Sequence, residues 1–523
     1  MKRNILRVLS VFVIAALLCS CGGPGSSRNG AALNAGEGVY YEMFIRSFAD
    51  SNGDGIGDLP GAISKLDYLN DGNPDTDTDL GVTGIWLMPV FASNSYHGYD
   101  VTDYYTVNPD YGTNDDLKQF LEECHKRGIT VIMDFMLNHT SSDHPWFIDS
   151  QTPGSEHRSW YRWAEEGDTS VDLKAVEMGN RVWHEKNGAY YAAVFWEGMP
   201  DLNYDEPAVR EEMKKVARFW LDLGIDGYRF DAVPHVYDKG EVVKSDAKSV
   251  TEKNHEFWQE FAGYCRSVKP ECYLVGEVWY GSEIRADYVP QLGSVFHFYT
   301  GDNIANAIKN QSAAELTEAM REDAELLKAK NENYIDAVFL TNHDMNRIGS
   351  LMNGNTEQLK QAAAMYLTME GIPFVYYGEE LGMEGKKPDE QLRTPFLWGE
   401  DDPALTTWQT SKYNAKIPSQ PEQAEDEASL LSFYRRLIRL RTGSDAFRNG
   451  RASVLDSGTE TVAAWEMASE KQRLFVAHNV GSSTETVTLP EGGTILFQSG
   501  EGASLSGTSL SIPSKASVVI EVR

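Results

Sequence analysis

Four acidic residues each stand at the end of a short apolar run: Asp134, Asp231, Glu277 and Asp344. A lone Asp in such a place is often only a helix N-cap. Four of them matter if the runs are neighbouring strands whose ends open on one mouth. Asp231 has Arg229 two residues earlier, so both side chains leave the same face of a strand. A fixed guanidinium holds a carboxylate ionised, as a nucleophile requires. Glu277 lies in Val275-Gly276-Glu277-Val278-Trp279, where apolar neighbours raise a carboxyl pKa toward that of a general acid. One ionised carboxylate facing one protonated carboxyl is the equipment for cleaving a glycosidic bond. No Ser-His-Asp context and no phosphate-binding glycine loop competes. His139 and His343 lack a second ligand at helical spacing, which argues against zinc.

Positioning these groups requires a repeated strand–helix unit. Asn114 is placed to cap a helix whose apolar residues Leu117, Phe120, Leu121 and Cys124 recur at helical spacing. Gly128 ends it, and Ile129–Met133 reads as a buried strand. Pro207 opens a second helix, Gly224 stops it, and Ile225–Phe230 is the strand that follows. Eight such strands are expected near 39–44, 84–88, 129–134, 225–231, 273–278, 294–298, 336–342 and 373–377. The fold class is therefore α/β, a (β/α)8 TIM barrel, in preference to a doubly wound open sheet. The interval between the third and fourth strands is too long for a crossover, so residues 139–203 are expected as an inserted subdomain. Barrel segments are then 37–138 and 204–445. From 446 to 523 alternating short strands with Gly and Ser turns predict an antiparallel β-sandwich.

The chain has 523 residues and a formal net charge of −31, from 78 Asp and Glu against 47 Lys and Arg. That balance disfavours nucleic acid, whose phosphates need clustered cations, and leaves a neutral substrate open. Residues 1–20 combine Lys2, Arg3 and Arg7 with the apolar run Val11–Leu18. They read as an export signal. Leu18-Cys19-Ser20-Cys21 resembles the bacterial lipoprotein cleavage box, which makes Cys21 the expected lipidation site. Residues 21–36 read as a flexible tether. The expected location is outside the cytoplasm, on a bacterial membrane or cell surface, with membrane contact only through the lipid. Cys124, Cys265 and Cys272 are an odd set, expected as buried thiols rather than a disulfide framework.

Several segments in order carry a family resemblance: Gly84–Val90, Asp134–His139, Met199–Asn203, Gly227–Ala232, Glu277–Trp279, Phe339–Asp344 and Gly371–Gly378. The chain resembles the α-amylase family of retaining glycoside hydrolases over nearly its whole mature length. The resemblance implies that Asp231 attacks the anomeric carbon and Glu277 protonates the leaving oxygen. It implies that Asp344 binds ring hydroxyls, and that Tyr99 stacks on the sugar. His97, His139, Arg229, His235 and His343 are implied contacts in the same cleft. Pro234 stands before His235 where starch-degrading members commonly carry Lys. Ala232 looks like the α-1,4-acting members, whereas His139–Phe147 looks like the oligo-1,6-glucosidase branch. Met199–Asn203 resembles a group between the oligo-1,6-glucosidases and the neopullulanases.

A second cluster lies in Asp50-Ser51-Asn52-Gly53-Asp54-Gly55-Ile56-Gly57-Asp58. Asp50, Asn52, Asp54 and Asp58 supply oxygen at alternate positions, and the Ile56 carbonyl completes a wrap for a hard cation. Gly61 occupies the twelfth place, so the loop is no EF-hand, and the resemblance favours structural calcium. The expected activity is retaining hydrolysis of α-1,4-glucosidic bonds in starch-type glucans and maltooligosaccharides by a monomer. An exo-acting α-glucosidase or oligo-1,6-glucosidase, and a transglycosylase, are the alternatives. A non-catalytic glycan-binding protein is disfavoured because all three acids are present.

Overall fold

A computed structural model describes residues 38–240 and 248–522. The expected signal, tether and Cys21 lie outside the described residues. Eight short strands form the centre: β1 (Tyr40–Met43), β2 (Gly84–Leu87), β3 (Thr130–Phe135) and β4 (Gly227–Phe230), then β5 (Tyr273–Gly276), β6 (Ser294–His297), β7 (Ile335–Phe339) and β8 (Ile372–Tyr376). Each pairs in parallel with its neighbours in sequence, and β1 pairs with β8 to close the barrel. The eight expected strands are therefore present in the expected order.

Alternation along these strands decides what faces inward. The barrel interior is filled by Tyr40, Trp86, Ile132, Tyr273, Val275, Phe296, Phe339 and Phe374, among others. Their outward neighbours, such as Tyr41, Met133, Tyr228 and Leu274, join the core beneath the surrounding helices. Gly227 begins β4 because a Cβ there would stand 1.9 Å from the Tyr273 carbonyl oxygen. The next inward positions going up the strands are polar: Glu42, Asp134, Arg229 and Glu277. The site is thus the top layer of the barrel itself, resting on aromatic rings.

The helix before β3 runs Asn114–Lys126, but its cap is Thr113, whose hydroxyl accepts the Asp116 N–H while the Asp116 carboxylate returns to the Thr113 N–H. Asn114 instead ties the loop down by accepting from Val107 N–H and donating to the Tyr105 carbonyl. This corrects the expected cap by one residue: a reciprocal capping box satisfies more free donors than Asn114 alone would. The helix Pro207–Leu223 ends at Gly224, at φ 132°, as expected.

Between β3 and β4 the chain forms a small subdomain. Its three-stranded antiparallel sheet joins Trp163–Ala164, Ala189–Ala192 and Trp183–Lys186. Bridges His139–Asp201 and Tyr161–Leu202 close its base. After Asn449 a five-stranded and a three-stranded antiparallel sheet pack together through Phe475, Val518 and Ile520 against Val487, Leu510 and Ile512. The other face of the larger sheet, with Trp465 and Val476, joins the core shared with the barrel helices. Cys124, Cys265 and Cys272 are buried free thiols. Among the described residues no helix is long and apolar enough to cross a membrane.

Candidate active site

Strand register brings the polar side chains together. Arg229 on β4 lies directly opposite Asp134 on β3. Its Nη1 donates to Asp134 Oδ1 at 2.7 Å and to Asp231 Oδ1 at 2.6 Å, and its Nη2 donates to Glu277 Oε2 at 2.8 Å. The guanidinium sits 5.2 Å above the Trp86 ring, so an aromatic layer supports it from below. One buried cation therefore fixes three carboxyl groups from three strands. The sequence pointed to Arg229 beside Asp231, but not to its sharing with Asp134 and Glu277.

Ala232 follows the Asp231 carboxylate with φ 46° and ψ 46°, a left-handed conformation that costs a non-glycine residue about 1 kcal/mol or more. The turn aims the Ala232 N–H at Glu277 Oε2, 3.0 Å away. Val233 N–H and Glu277 N–H in turn bind the Glu277 and Phe230 carbonyls, stitching the two segments together. Local strain after one acid thus positions the other.

A second set of contacts fixes Asp344. His343 Nδ1 lies 2.6 Å from Glu42 Oε1, and its Nε2 lies 3.1 Å from Asp344 Oδ2. Tyr99 places its hydroxyl 2.6 Å from that same Nε2 and 3.1 Å from Asp134 Oδ2, joining the two sets. Arg393 Nη2 binds Asp344 Oδ1 at 2.8 Å. Glu42 and Arg393 are functional neighbours that the sequence did not reveal. Glu42 is legible afterwards as the inward position above Tyr40, whereas Arg393 comes from a loop with no periodic signal.

Five carboxyl groups (Glu42, Asp134, Asp231, Glu277 and Asp344) thus meet three cations (Arg229, His343 and Arg393). That excess of acid makes a retained proton favourable. Burial pushes the Glu277 pKa up to about 7, with Arg229 opposing and the Asp231 and Asp344 charges adding. Asp231 and Asp134 are also raised, by burial first, although Arg229 pulls both down. The expectation that Arg229 simply depresses Asp231 is corrected here, because burial, with the Asp134 charge adding to it, outweighs the guanidinium. Asp344 goes the other way: burial opposes its charge, but His343 and Arg393 hold it far below the usual carboxylate range. His343 is pushed up to about 9, since Asp344 and Glu42 outweigh its burial.

The groups open onto a cleft of about 760 Å³ lined by His97, Tyr99, His139, His235, Asp231, Glu277 and Asp344. The structure thus brings all the expected contact residues to one cleft, with Arg229 and His343 just beneath it. His139 lies between the Asn138 side chain and the Tyr99 carbonyl, and burial lowers its pKa to about 4. Trp196 and Met178 of the inserted subdomain and Trp279 after β5 are 54%, 50% and 46% exposed, so the outer walls are apolar. Trp279 is held by a 4.6 Å stack on Phe298.

The Asp50–Asp58 loop folds around its own oxygens. Asp50 Oδ1 accepts from the Asn52 and Gly53 N–H groups, and Oδ2 accepts from Gly55. Asn52 accepts from Asp54, Asp54 accepts from Ile56, and Asp58 caps the next helix at Gly61. The donor set is oxygen throughout, and each carboxylate oxygen engaged by one N–H keeps a second lone pair. Its chemistry fits a hard cation.

Residues 42–450 match the family model described as the α-amylase catalytic domain, and residues 462–519 match that of the α-amylase SusG C-terminal domain. The chain belongs to the α-amylase family. It is 40% identical to α-amylase 3 of Dictyoglomus thermophilum, over 86% of this chain and 85% of that protein. It is 31% identical to the 4-α-glucanotransferase of Thermotoga neapolitana, over 85% of this chain and 96% of that one. Among solved structures, an α-amylase from H. orenii superposes with a TM-score of 0.86 at 41% identity, covering 93% of this chain and 99% of that one. The α-amylase family member described here is therefore a glycoside hydrolase that acts on α-glucosidic bonds.

Proposed function

We propose that the protein cleaves α-1,4-glucosidic bonds of starch-type glucans and maltooligosaccharides with retention of configuration. The single observation that carries this is the pair Asp231 and Glu277 on adjacent nitrogens of Arg229, at the floor of an open cleft. That arrangement suits the ~5–5.5 Å carboxyl separation of double displacement.

In this reading the Glu277 carboxyl gives its proton to the glycosidic oxygen while the Asp231 carboxylate forms a bond to the anomeric carbon. Glu277, now ionised, takes a proton from water, and the hydroxide adds to the same carbon and releases Asp231. Asp344, fixed by His343 and Arg393 at 3.1 and 2.8 Å, stays charged and accepts from ring hydroxyls as positive charge develops on the sugar. Tyr99, locked to His343 and Asp134, gives the ring a flat apolar wall. A calcium ion held by Asp50, Asn52, Asp54, the Ile56 carbonyl and Asp58 would brace the loop after β1 and supply no chemistry. The basic and apolar N-terminus ending at Cys21 supports export and lipid anchoring.

Transfer to a second sugar is the alternative outcome of the same intermediate. The exposed Trp279, Trp196 and Met178 walls favour it, because they offer apolar faces to a sugar acceptor. Product analysis on maltoheptaose, isomaltose and pullulan tests the proposal. Early mixed maltooligosaccharides support α-1,4 hydrolysis, longer products indicate transfer, and glucose alone or isomaltose cleavage would overturn the proposed specificity.

A further inference from the structure

Arg393 holds Asp344, yet Leu392, Arg393 and Thr394 lie outside any helix or strand. No ladder of backbone bonds fixes the place from which the Arg393 side chain leaves the chain. Side chains from three other segments do so instead, by binding three successive carbonyls. The Leu392 carbonyl accepts from Arg347 Nε at 2.7 Å and from the Tyr376 hydroxyl at the end of β8 at 3.0 Å. The Arg393 carbonyl accepts from the Ser47 hydroxyl, in the short helix Ile45–Phe48 after β1. The Thr394 carbonyl accepts from the Tyr377 hydroxyl at 2.8 Å.

Arg347 stands out in this set because it comes from the segment of Asp344 itself, three residues further along. The two segments clasp each other through two arginines. Arg393 reaches one way, with Nη2 on Asp344 Oδ1 at 2.8 Å and Nε on the His343 carbonyl at 3.1 Å. Arg347 reaches back, with Nε on the Leu392 carbonyl and its backbone N–H on the Gly385 carbonyl at 3.0 Å. Its Nη1 donates to the Tyr377 carbonyl at 2.7 Å, and the guanidinium lies 4.1 and 4.7 Å from the centres of the Tyr376 and Tyr377 rings. Arg347 is 1% exposed and is not among the cleft-lining residues, so a sugar in the cleft does not meet it. Among the described residues its guanidinium is bound to two carbonyls and to no carboxylate. A buried cation without a counter-ion in contact carries a desolvation cost, so stability alone is a poor reason for it. What a planar fork supplies, anchored at two points and laid on two rings, is direction.

We propose that Arg347 is a positioning residue that acts on the reaction through Arg393, by holding the Leu392 carbonyl so that the Arg393 guanidinium meets Asp344. This rests on the reading of Asp344 as the carboxylate that stabilises the charged sugar. Without Arg347 the Leu392 carbonyl keeps the Tyr376 hydroxyl, and one bond fixes a peptide less well than two in different directions. Arg393 then no longer reaches Asp344 Oδ1 and the His343 carbonyl at once. His343 Nε2, 3.1 Å from Asp344 Oδ2, is left to hold the carboxylate from one side. Asp344 acts as charge develops on the sugar, so its misplacement falls on the transition state more than on substrate binding.

The test is a double-mutant cycle on kcat and KM for maltoheptaose, with Arg347→Met, Arg393→Met and the two combined, each corrected for the folded fraction by circular dichroism. Arg393→Met should lower kcat about tenfold to a hundredfold, as the loss of a charge-assisted bond does. Arg347→Met should lower kcat about tenfold with KM within about twofold. The double variant should be no slower than Arg393→Met alone, because Arg347 then has nothing to position. Arg347→Lys keeps the charge but not the fork and should lower kcat about threefold, and it takes the place of Met in the cycle if Arg347→Met does not fold. A folded Arg347→Met or Arg347→Lys with unaltered kcat, or single losses that multiply in the double variant, would overturn this inference alone. Unaltered kcat in Arg393→Met would overturn the part given to Arg393 and this inference with it, while Asp231 and Glu277 keep their roles. No turnover by the unsubstituted protein would overturn the proposed function and this inference together.

Discussion

Replacing Arg229 by Met removes the one cation shared by Asp134, Asp231 and Glu277 while keeping a side chain that covers Trp86. Each carboxyl lies in direct contact with the guanidinium, so charge centres stand ~4 Å apart, worth about 4 kcal/mol at an effective dielectric of 20. Its loss therefore moves all three carboxyl pKa values upward. Asp231 is already raised by burial, and losing the cation raises it further, so less of it is ionised as the nucleophile. Glu277 moves in the same direction, which preserves the acid but not the pair. The expected result is a loss of at least about a hundredfold in kcat/KM near pH 6, with the acid limb of the profile displaced upward. Stability at neutral pH should fall by about 3 kcal/mol, because breaking a buried pair leaves acids uncompensated, and proton uptake by those acids limits the loss. The assay is kcat/KM on maltoheptaose across pH, with circular dichroism to establish folding. A folded variant whose acid limb has not moved would refute the claim that Arg229 sets the charge of the nucleophile.

Other outcomes follow from the same geometry. Glu277→Gln should lower kcat on maltoheptaose by about a hundredfold to ten-thousandfold, and the alkaline limb near pH 7 should vanish from the residual activity, read by initial rates. Because the folded His343 pKa is raised to about 9, its contribution to stability is complete below about pH 6.5 and lost as pH rises through about 9. Denaturant midpoints should therefore fall over that window, and His343→Asn should remove that component of the fall. Calcium removal by a chelator should lower the thermal midpoint by several degrees, with recovery on adding calcium, and Asp50→Asn should abolish the difference. No calcium dependence of the midpoint would refute the assignment of that loop.

The barrel was legible because its evidence is periodic. Helical spacing in Leu117–Cys124 and the buried run Ile129–Met133 mark one unit, and similar signals recur until the ring must close. Acids at strand ends were legible for the same reason, since the period-2 rule puts Arg229 and Asp231 on one face. What the chain pattern withheld is whatever depends on register between distant strands. The opposition of Arg229 to Asp134 and the reach of its second nitrogen to Glu277 exist only after closure. Burial, with the Asp134 charge adding to it, outweighed Arg229 and reversed the expected sign of the Asp231 shift, an effect that exists only once the barrel has closed. Arg393 comes from an irregular loop, and Ala232 announces nothing of its left-handed backbone, because alanine ordinarily avoids it. The Thr113 cap shows the finer limit: two adjacent residues can both cap, and the reciprocal partner Asp116 decides between them.

The central claim is that Asp231 and Glu277 act on opposite sides of one scissile bond through a covalent intermediate. Rapid mixing of Glu277→Gln with α-maltosyl fluoride, acid quench and peptide mass spectrometry tests it most directly, since fluoride departs without an acid and release then stalls. A maltosyl adduct on the peptide that contains Asp231 is the predicted result. Fluoride release without any adduct, or an adduct on a different carboxylate, would contradict the account.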